Sequence, residues 1–155
     1  MVDVLPRPSR EETLARLMKG ARYIAGHSRS IAYTVADRLE ERAGDKVDTA
    51  FILFEERRIS FAEANRAADR TAQAIRRAGF GQGDVVALMM ENRPEYVLFW
   101  LGMAKAGVVS ALINTSAAGP VLTHALAQAG AKALVVGDEC LPALESLGAL
   151  PSMPI

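Results

Sequence analysis

The stretch DVVALMMENRPEYVLFWLGMAKAGVVSALIN, residues 84–114, decides the fold of this chain. It begins with a continuous apolar run, 85–90, which is typical of a parallel strand covered on both faces. A second apolar run, 108–113, closes the stretch, and we expect it to be equally buried. The segment between the two runs reads as a helix. The stretch therefore predicts a right-handed unit of strand, helix and strand.

The helix of this unit carries signals at both ends. Asn92 is the expected N-cap, Pro94 suits a first turn because it lacks an N–H, and Gly107 suits the C-terminal stop. Glu95 and Lys105 complement the two ends of the helix dipole. The middle turns are apolar on every side, so we expect other protein to surround this helix.

Further elements are predicted on both sides of this unit. Capping residues begin three of the helices, because a short polar side chain bonds the free N–H groups of a first turn. They are Thr34, Ser60 with Glu63, and Asp138. The predicted elements are helices over 35–43 (stopped by Gly44), 61–78, 119–130 and 138–147, a hairpin of 49–55 and 57–60, and a third parallel strand over 132–136. The sequence thus predicts an α/β fold: a parallel sheet with covering helices plus a small antiparallel hairpin.

Residues 1–33 are predicted to form an N-terminal helical extension, with Ser9 as its N-cap. The helix has an apolar stripe of Leu14, Leu17, Met18, Ala21 and Ile24. It also has a basic side of Arg10, Arg16, Lys19, Arg22 and Arg29. Such a helix usually packs its stripe on its own domain, but it also suits peripheral contact with an anionic membrane.

Composition excludes several classes of protein. Eighteen basic residues balance eighteen acidic ones in 155, so no nucleic-acid partner is expected. A single cysteine, Cys140, excludes an internal disulfide framework and favours a reducing compartment, so the cytoplasm is the expected location. Neither a signal peptide nor a run of ~20 apolar residues occurs. The hydrophobic fraction of 50% is high for a free-standing small domain, which indicates surface that a partner covers and predicts self-association of the chain alone.

The search for reactive groups assigns no catalytic, cofactor-binding or metal-ligating residue. His27 and His124 lie far apart in sequence without flanking ligand patterns. The glycines of the loop 79–84 follow a helix and precede a strand, which is the reverse of a dinucleotide-binding turn. Cys140 stands beside two acidic residues and is interpreted as a structural thiol.

One segment is better placed for binding. Asn114, Thr115 and Ser116 follow the second apolar run, at the carboxyl end of a predicted parallel strand. Ligands of open α/β sheets bind at that edge, so these residues are candidates for the edge of a pocket. The alternative interpretation is that their side chains cap the next helix.

Two motifs resemble a known family, the adenylate-forming acyl-CoA synthetases, over a region from about Thr34 to the end of the chain. Residues 59–63, ISFAE, match the family signature "(L/V)TY-x-E", and residues 103–109, MAKAGVV, match "LKAGA". The segment 111–115, ALINT, replaces the usual proline-containing sequence. In this it is similar to the fatty acid transport protein and very-long-chain branch of the family.

The resemblance implies a two-step ligase that uses ATP, Mg²⁺ and coenzyme A to convert a fatty acid to acyl-CoA, AMP and diphosphate. It implies that residues 34–155 are part of the AMP-binding N-terminal subdomain, ending before the phosphate loop "TSGTTG-x-PK". No catalytic residue is carried over, since the family's catalytic motifs do not occur here, and the isolated chain is expected to be inactive. The implied partner is the remainder of the enzyme. A stand-alone interaction module and a membrane-docking module at the inner face of the membrane stay open as alternatives.

Overall fold

The computed structural model describes residues 9–25 and 33–147. The backbone forms two compact units, Met1–Tyr33 and Thr34–Ile155. Each unit is considered by itself below.

In the first unit, helix α1 spans Arg10–Ala25. Its predicted N-cap is confirmed: Glu12 N–H donates to Ser9 Oγ at 3.1 Å, and Ser9 N–H donates to Glu12 Oε2 at 2.8 Å. This reciprocal pair satisfies two N–H groups that the first helical turn leaves free. Four side chains of the predicted stripe are exposed: Leu14, Leu17, Met18 and Ala21.

The second unit follows the predicted order of elements. Its helices are α2 (Val35–Asp45), α3 (Phe61–Arg77), α4 (Pro94–Ala106), α5 (Gly119–Ala129) and α6 (Leu141–Glu145). Its strands are β1 (Ala50–Phe54), β2 (Arg57–Ser60), β3 (Val85–Met89), β4 (Val109–Leu112) and β5 (Ala133–Val136). Strands β1 and β2 pair antiparallel as the predicted hairpin, and the other three strands are parallel. The predicted α/β class is confirmed.

The parallel sheet has the strand order β4-β3-β5. Leu88 of β3 lies in register with Leu112 of β4 on one side and with Val135 of β5 on the other. The chain thus leaves the central strand towards one edge through α4 and then returns past it to the opposite edge through α5. The direction in which the chain winds reverses at β3.

Each face of the sheet has its own core. Leu88 belongs to a cluster with residues of α3 and α4, including Met103. Ala87 and Met89 belong to a second cluster with Leu122 of α5 and residues of α6. This division follows from the period of two along a strand, which sends successive side chains to opposite faces. Strand β3 is therefore covered on both faces, as predicted.

Strand β4 differs from the prediction. Val109 and Leu112 are each 53% exposed, so the expectation that 108–113 is as buried as 85–90 is wrong. Strand β4 lies at an edge of the sheet, and its Val109 and Leu112 belong to neither core cluster, whereas all four residues of the other edge strand, β5, belong to or pack on those clusters. The two apolar runs look alike in sequence but have different numbers of neighbours.

The predicted caps of α2 and α3 are confirmed. Thr34 and Asp37 form a capping box at α2, and Ser60 and Glu63 form one at α3. Gly107 ends α4 in the left-handed conformation, with φ of 79°, which L side chains rarely adopt.

Two other helix ends differ from the prediction. Arg93, not Asn92, is the N-cap of α4, and its side chain makes no capping bond. Pro94 occupies the first turn as expected, so fewer N–H groups need a cap. Helix α2 continues through Gly44 to Asp45, because a glycine tolerates helical dihedral angles as well as left-handed ones.

The predicted helix over 138–147 is shorter than expected. Asp138–Cys140 forms a 3-10 turn, and α6 begins only at Leu141. Asp138 does not cap this helix because its carboxylate pairs with Arg93, whose Nη1 lies 3.1 Å from Asp138 Oδ1.

Helix α4 is enclosed on most of its circumference, as predicted. Tyr96 and Phe99 pack on the core beneath the sheet, while Val97 and Leu98 pack on the cluster shared with α2, α3 and the hairpin. Trp100, at 36%, is the exposed large apolar side chain on this helix. The other exposed large apolar side chains of this unit lie singly on several elements: Val35, Val47, Leu53, Val109, Leu112, Val121 and Leu141.

Helices α3 and α4 are joined by close packing and by an ion pair. A Cβ atom at Gly102 would lie 2.4 Å from Thr71 Cβ, so only glycine fits there. Lys105 Nζ lies 2.6 Å from both Glu40 Oε1 of α2 and Asp69 Oδ1 of α3, and its side chain is 5% exposed. Burial lowers the pKa of Lys105, but the hydrogen bonds to Asp69 and Glu40 outweigh burial and raise it.

Candidate functional site

The carboxyl edge of the parallel sheet is the candidate functional site. In open α/β sheets ligands bind beyond the carboxyl ends of the strands, at the point where the direction of winding reverses. In this sheet that point lies beside β3, because its two neighbours follow it in the chain and lie on opposite sides of it. The segments that leave the strands there are 90–93 after β3, 113–116 after β4 and 137–139 after β5.

The predicted pocket-edge residues lie on the segment after β4. Asn114 and Ser116 are exposed and Thr115 is half-buried. The Asn114 side chain folds back on the turn, where Ser116 N–H donates to Asn114 Oδ1 at 2.9 Å. Ala117 N–H donates to the Asn114 carbonyl at 2.9 Å. These bonds form an Asx-type turn, which fixes the path of the segment and leaves the Thr115 and Ser116 side chains at the edge.

The alternative that these residues cap the next helix is wrong. The N-cap of α5 is Ala118, which makes no side-chain capping bond. Gly119 N–H instead donates to Ser146 Oγ at 2.8 Å, and Ser146 Oγ–H donates to the Ala143 carbonyl at 2.5 Å. The N-terminus of α5 is thus satisfied from α6 and its following residue.

An arginine and two carboxylates meet at the ends of β3 and β5. Arg93 Nη1 lies 3.1 Å from Asp138 Oδ1 and 3.2 Å from Glu139 Oε2. Glu139 Oε1 accepts a 2.7 Å hydrogen bond from Glu91 N–H. Gly137 leaves room for this carboxylate, since a Cβ atom there would lie 2.2 Å from Glu139 Oε1. The cluster ties the ends of two neighbouring strands together.

The close contacts in this cluster change the pKa of Asp138 and leave one donor of Arg93 unpaired. A hydrogen bond with Glu139 and pairing with Arg93 hold the pKa of Asp138 below its usual range. Among the described residues, Arg93 Nε is buried without a hydrogen-bond partner. The guanidinium therefore keeps one unused donor at the strand ends.

Sequence reasoning missed the Arg93 cluster. Its residues are separated by about 45 positions, and nothing in a single sequence links them. The usable signal was local: charged residues stand within three positions after each of two predicted parallel strands, and the carboxyl ends of such strands meet at one edge of the sheet.

The two histidines and the cysteine considered in the sequence analysis do not belong to the Arg93 cluster. His124 is exposed on α5 and lines an open groove of about 650 Å³ with Thr123 and Ser146. His27 lies outside the described residues. Cys140 is 4% exposed, and burial together with the charges of Glu139 and Glu91 raises the pKa of its thiol. A raised pKa disfavours the thiolate, which supports the interpretation of a structural thiol.

Two further properties concern metals and membranes. Within residues 9–25 and 33–147, no three His, Cys, Asp or Glu side chains come together in an arrangement that suits a metal ion. Across the same described ranges, none of the helices combines the length and the apolar character needed to cross a bilayer.

The known proteins that are similar in sequence to this chain include a fatty acid transport protein and a fatty-acid–CoA ligase. The bovine (Bos taurus) long-chain fatty acid transport protein 1 is 46% identical over 88 residues, which cover 57% of this chain and 14% of the relative. The medium/long-chain-fatty-acid–CoA ligase FadD6 of Mycobacterium tuberculosis is 33% identical over 110 residues, which cover 71% of this chain and 18% of the ligase. The chain thus spans less than a fifth of the length of these two relatives.

The chain is also similar to solved structures of the N-terminal parts of two other proteins. The N-terminal domain of Mycobacterium tuberculosis FACL13 matches with a TM-score of 0.72 and 28% identity, over 79% of this chain and 32% of that one. The N-terminal subdomain of Klebsiella oxytoca NpsA, in complex with anthranilyl-AMSN, matches with a TM-score of 0.65 and 27% identity, over 67% of this chain and 27% of that one. Residues 39–153 match the family of AMP-binding enzymes, and the chain therefore belongs to that family.

Proposed function

We propose that this chain is part of the N-terminal subdomain of a fatty acid:CoA ligase, with residues 34–155 inside the subdomain and 1–33 as an extension. The main support for the proposal is that this chain is similar both in sequence to fatty-acid–CoA ligases and transport proteins and in structure to an N-terminal domain. The relatives by sequence are a fatty-acid–CoA ligase and fatty acid transport proteins, and a similar structure is the N-terminal domain of FACL13. Ligase activity in the cytoplasm and a fatty acid substrate follow from the proposal.

The proposed reaction has two steps. A fatty acid carboxylate attacks the α-phosphate of ATP to give an acyl-adenylate and diphosphate, and the thiol of coenzyme A then displaces AMP. Mg²⁺ would neutralise charge on the phosphates. The AMP-binding family and the adenylate analogue bound to NpsA support the use of ATP.

Neither the glycine loop nor the N-terminus of α5 offers a free backbone cradle for a triphosphate. The glycine loop between α3 and β3 uses its amides internally: Gly81 N–H donates to Asp84 Oδ2 at 2.8 Å, and Gly83 N–H donates to the Gly107 carbonyl at 3.0 Å. The N-terminus of α5 is satisfied by Ser146. We therefore assign the binding of ATP, Mg²⁺ and coenzyme A to the remainder of the enzyme. This chain contributes scaffold and, through Asn114, Thr115 and Ser116, one edge of the substrate pocket.

A chimaera tests the proposal. Residues 34–147 replace the matching segment of the Mycobacterium tuberculosis ligase FadD6, and acyl-CoA formation is measured with a long-chain fatty acid. We expect activity within about tenfold of the parent, because most contacts inside the segment are kept. The matched control is the same chimaera with Leu88→Asp, which should lose both folding and activity.

A chimaera that melts cooperatively but forms no acyl-CoA would contradict the proposal and favour a stand-alone interaction module. The 155-residue chain alone should form neither acyl-adenylate nor acyl-CoA above a heat-treated sample, because it offers no cradle for the phosphates.

Helix α1 supports a second role, peripheral contact with the inner face of the membrane. Leu14, Leu17 and Met18 are 58%, 65% and 52% exposed, and the helix also carries Arg16, Lys19 and Arg22. Exposed apolar side chains enter the interface of a bilayer, while basic side chains attract anionic lipid.

Vesicle sedimentation tests this role. If the three basic residues engage anionic lipid, each should contribute about 1 kcal/mol, so Arg16→Ala/Lys19→Ala/Arg22→Ala should release the chain and added salt should weaken binding. The charge-preserving control exchanges arginine and lysine at the same positions and should still bind. Equal sedimentation of the alanine variant would remove the idea.

A further inference from the structure

Outside the sheet edge, three arginines converge on one surface groove. The groove has a volume of about 320 Å³ and lies where β2, α3 and α4 meet. Arg58 comes from β2, and Arg66 and Arg70 come from successive turns of α3. Residues four apart on a helix lie on the same face, so Arg66 and Arg70 point to the same side of α3.

The carboxylate in the groove is already in use. Glu63 Oε2 accepts hydrogen bonds from Ser60 N–H at 2.8 Å and from Ser60 Oγ–H at 2.9 Å, as the capping box of α3. These bonds, and then the charges of Arg66 and Arg58, hold the pKa of Glu63 below its usual range. Glu63 is therefore ionised at neutral pH but remains turned towards Ser60.

The groove arginines differ from the paired cations of this chain. Arg57, Arg93, Lys105 and Lys132 each lie within 4 Å of a carboxylate oxygen. Among the described residues, Arg58, Arg66 and Arg70 make no such salt bridge. Arg58 is held in place by a hydrogen bond from its Nη2 to the Asp48 carbonyl, which is a neutral acceptor. Three guanidinium groups and the Glu63 carboxylate leave the groove with a formal charge of +2, although the whole chain is neutral.

We propose that this groove binds a phosphate monoester. A monoester carries a charge of about −1.5 to −2 at pH 7, which matches the formal charge of the groove. Guanidinium groups recognise phosphate through pairs of parallel hydrogen bonds, and three of them can share its oxygens. A single carboxylate would leave about half of the positive charge unmatched.

The walls of the groove restrict the ester further. Ile59 of β2, Ala67 of α3 and Leu98 of α4 supply apolar surface beside the arginines. An apolar substituent on the phosphate would contact this surface and displace water from it. The groove should therefore prefer an aryl or alkyl phosphate to inorganic phosphate.

Calorimetric titration of the 155-residue chain with phenyl phosphate tests the proposal. We expect saturable binding below about 10 mM, weaker binding of inorganic phosphate and of phenyl sulfate, and loss of affinity with added salt. Affinity should rise from pH 5 to pH 7.5, because the ester loses its second proton near about pH 6 and the doubly charged form binds the groove more strongly.

Substitutions assign the binding to the groove. Arg66→Gln and Arg70→Gln should each weaken phenyl phosphate binding by roughly three- to tenfold, since each removes a charged hydrogen-bond donor. Arg77→Gln is the matched control: it makes the same charge change on α3, about 10 Å beyond Arg70, outside the groove. All three positions are exposed, so the melting temperature should change little.

Equal weakening by the control and the groove variants, or no saturation with phenyl phosphate or phosphatidic acid, would overturn the proposal. A parallel arm distinguishes the source of the phosphate. Vesicles that contain phosphatidic acid should bind in the same variant-dependent way if the natural ligand is a lipid head group. If only phenyl phosphate binds, the ligand is a soluble ester.

Discussion

Leu88 and Leu112 are the same residue type, lie side by side in register and have opposite environments. Leu88 of β3 is fully buried, whereas Leu112 of β4 is 53% exposed. Both belong to apolar runs that read as buried strands in the sequence. The comparison teaches that burial in a parallel sheet depends on the number of neighbouring strands and covering helices as well as on local pattern.

The largest expected effect comes from substituting this pair. Leu88→Ala should destabilise the fold by about 2–5 kcal/mol, because it removes methyl groups from a closely packed site and leaves a cavity. Leu112→Ala should cost less than about 1 kcal/mol, because much of that side chain already contacts water. Urea unfolding followed by circular dichroism measures both. Equal losses would show that β4 is covered in solution.

A pair of lysines extends the comparison to ion pairs. Lys105, buried between α2, α3 and α4, bonds two carboxylates, whereas Lys132 is 63% exposed and bonds only Asp84. Lys105→Met should cost about 1–3 kcal/mol because it leaves Glu40 and Asp69 without their partner. Lys132→Met should cost less than about 1 kcal/mol. Urea unfolding at low and high salt measures the difference between the two losses of stability. This difference should decrease only slightly with salt if the burial of Lys105 is its cause.

The edge strand also predicts how the chain alone should behave. Val109 and Leu112 are exposed at the two ends of the edge strand β4, on opposite faces of the sheet, and the strand has an unpaired edge, so the chain should bind a hydrophobic dye and self-associate at micromolar concentration. Val109→Thr/Leu112→Thr should reduce dye fluorescence and shift the sedimentation coefficient towards that of a monomer. The matched control is Val121→Thr on α5, a single exposed valine. Equal dye fluorescence of the double variant and the parent would show that the dye binds an apolar surface other than β4.

The smallest expected effect concerns acid. Pairing with Lys132, and then the Gly81 N–H, lowers the pKa of Asp84 below its ordinary value of 3.8. A lowered folded pKa stabilises the fold above pH 3.8, and the contribution is lost as the pH falls through the folded pKa. Asp84→Asn should therefore flatten the dependence of the melting temperature on pH between about 5 and 3. Asp45→Asn, at the exposed end of α2, is the control, and an equal effect there would rule out a specific role for Asp84.

Features that depend on residues close together in the chain, such as helix caps, helix ends and strands, could be predicted from the sequence. The Ser60 and Glu63 capping box and the Gly107 stop depend on residues a few positions apart, and both were found. The family resemblance rested on motifs that include these positions, and the match over residues 39–153 confirms it. The hairpin and the three parallel strands were also located, because alternation and apolar runs report directly on the local backbone.

Features that bring together residues far apart in the chain could not be predicted from the sequence. The edge position of β4 depends on strand order, and the Arg93 cluster joins residues about 45 positions apart. The arginine groove likewise combines β2, α3 and α4. Asn114, Thr115 and Ser116 were placed at a strand end correctly, but their role as a pocket edge stays a prediction.

The strand order β4-β3-β5 has a consequence for synthesis on the ribosome. The central strand emerges first, and its second partner follows roughly 45 residues later, which takes on the order of 2–10 s at cellular rates of elongation. During that interval β3 has at most one partner and its second face waits for α5. The most buried strand of the sheet is thus the one that nascent-chain chaperones would meet, and slower translation of residues 115–136 should lengthen that exposure.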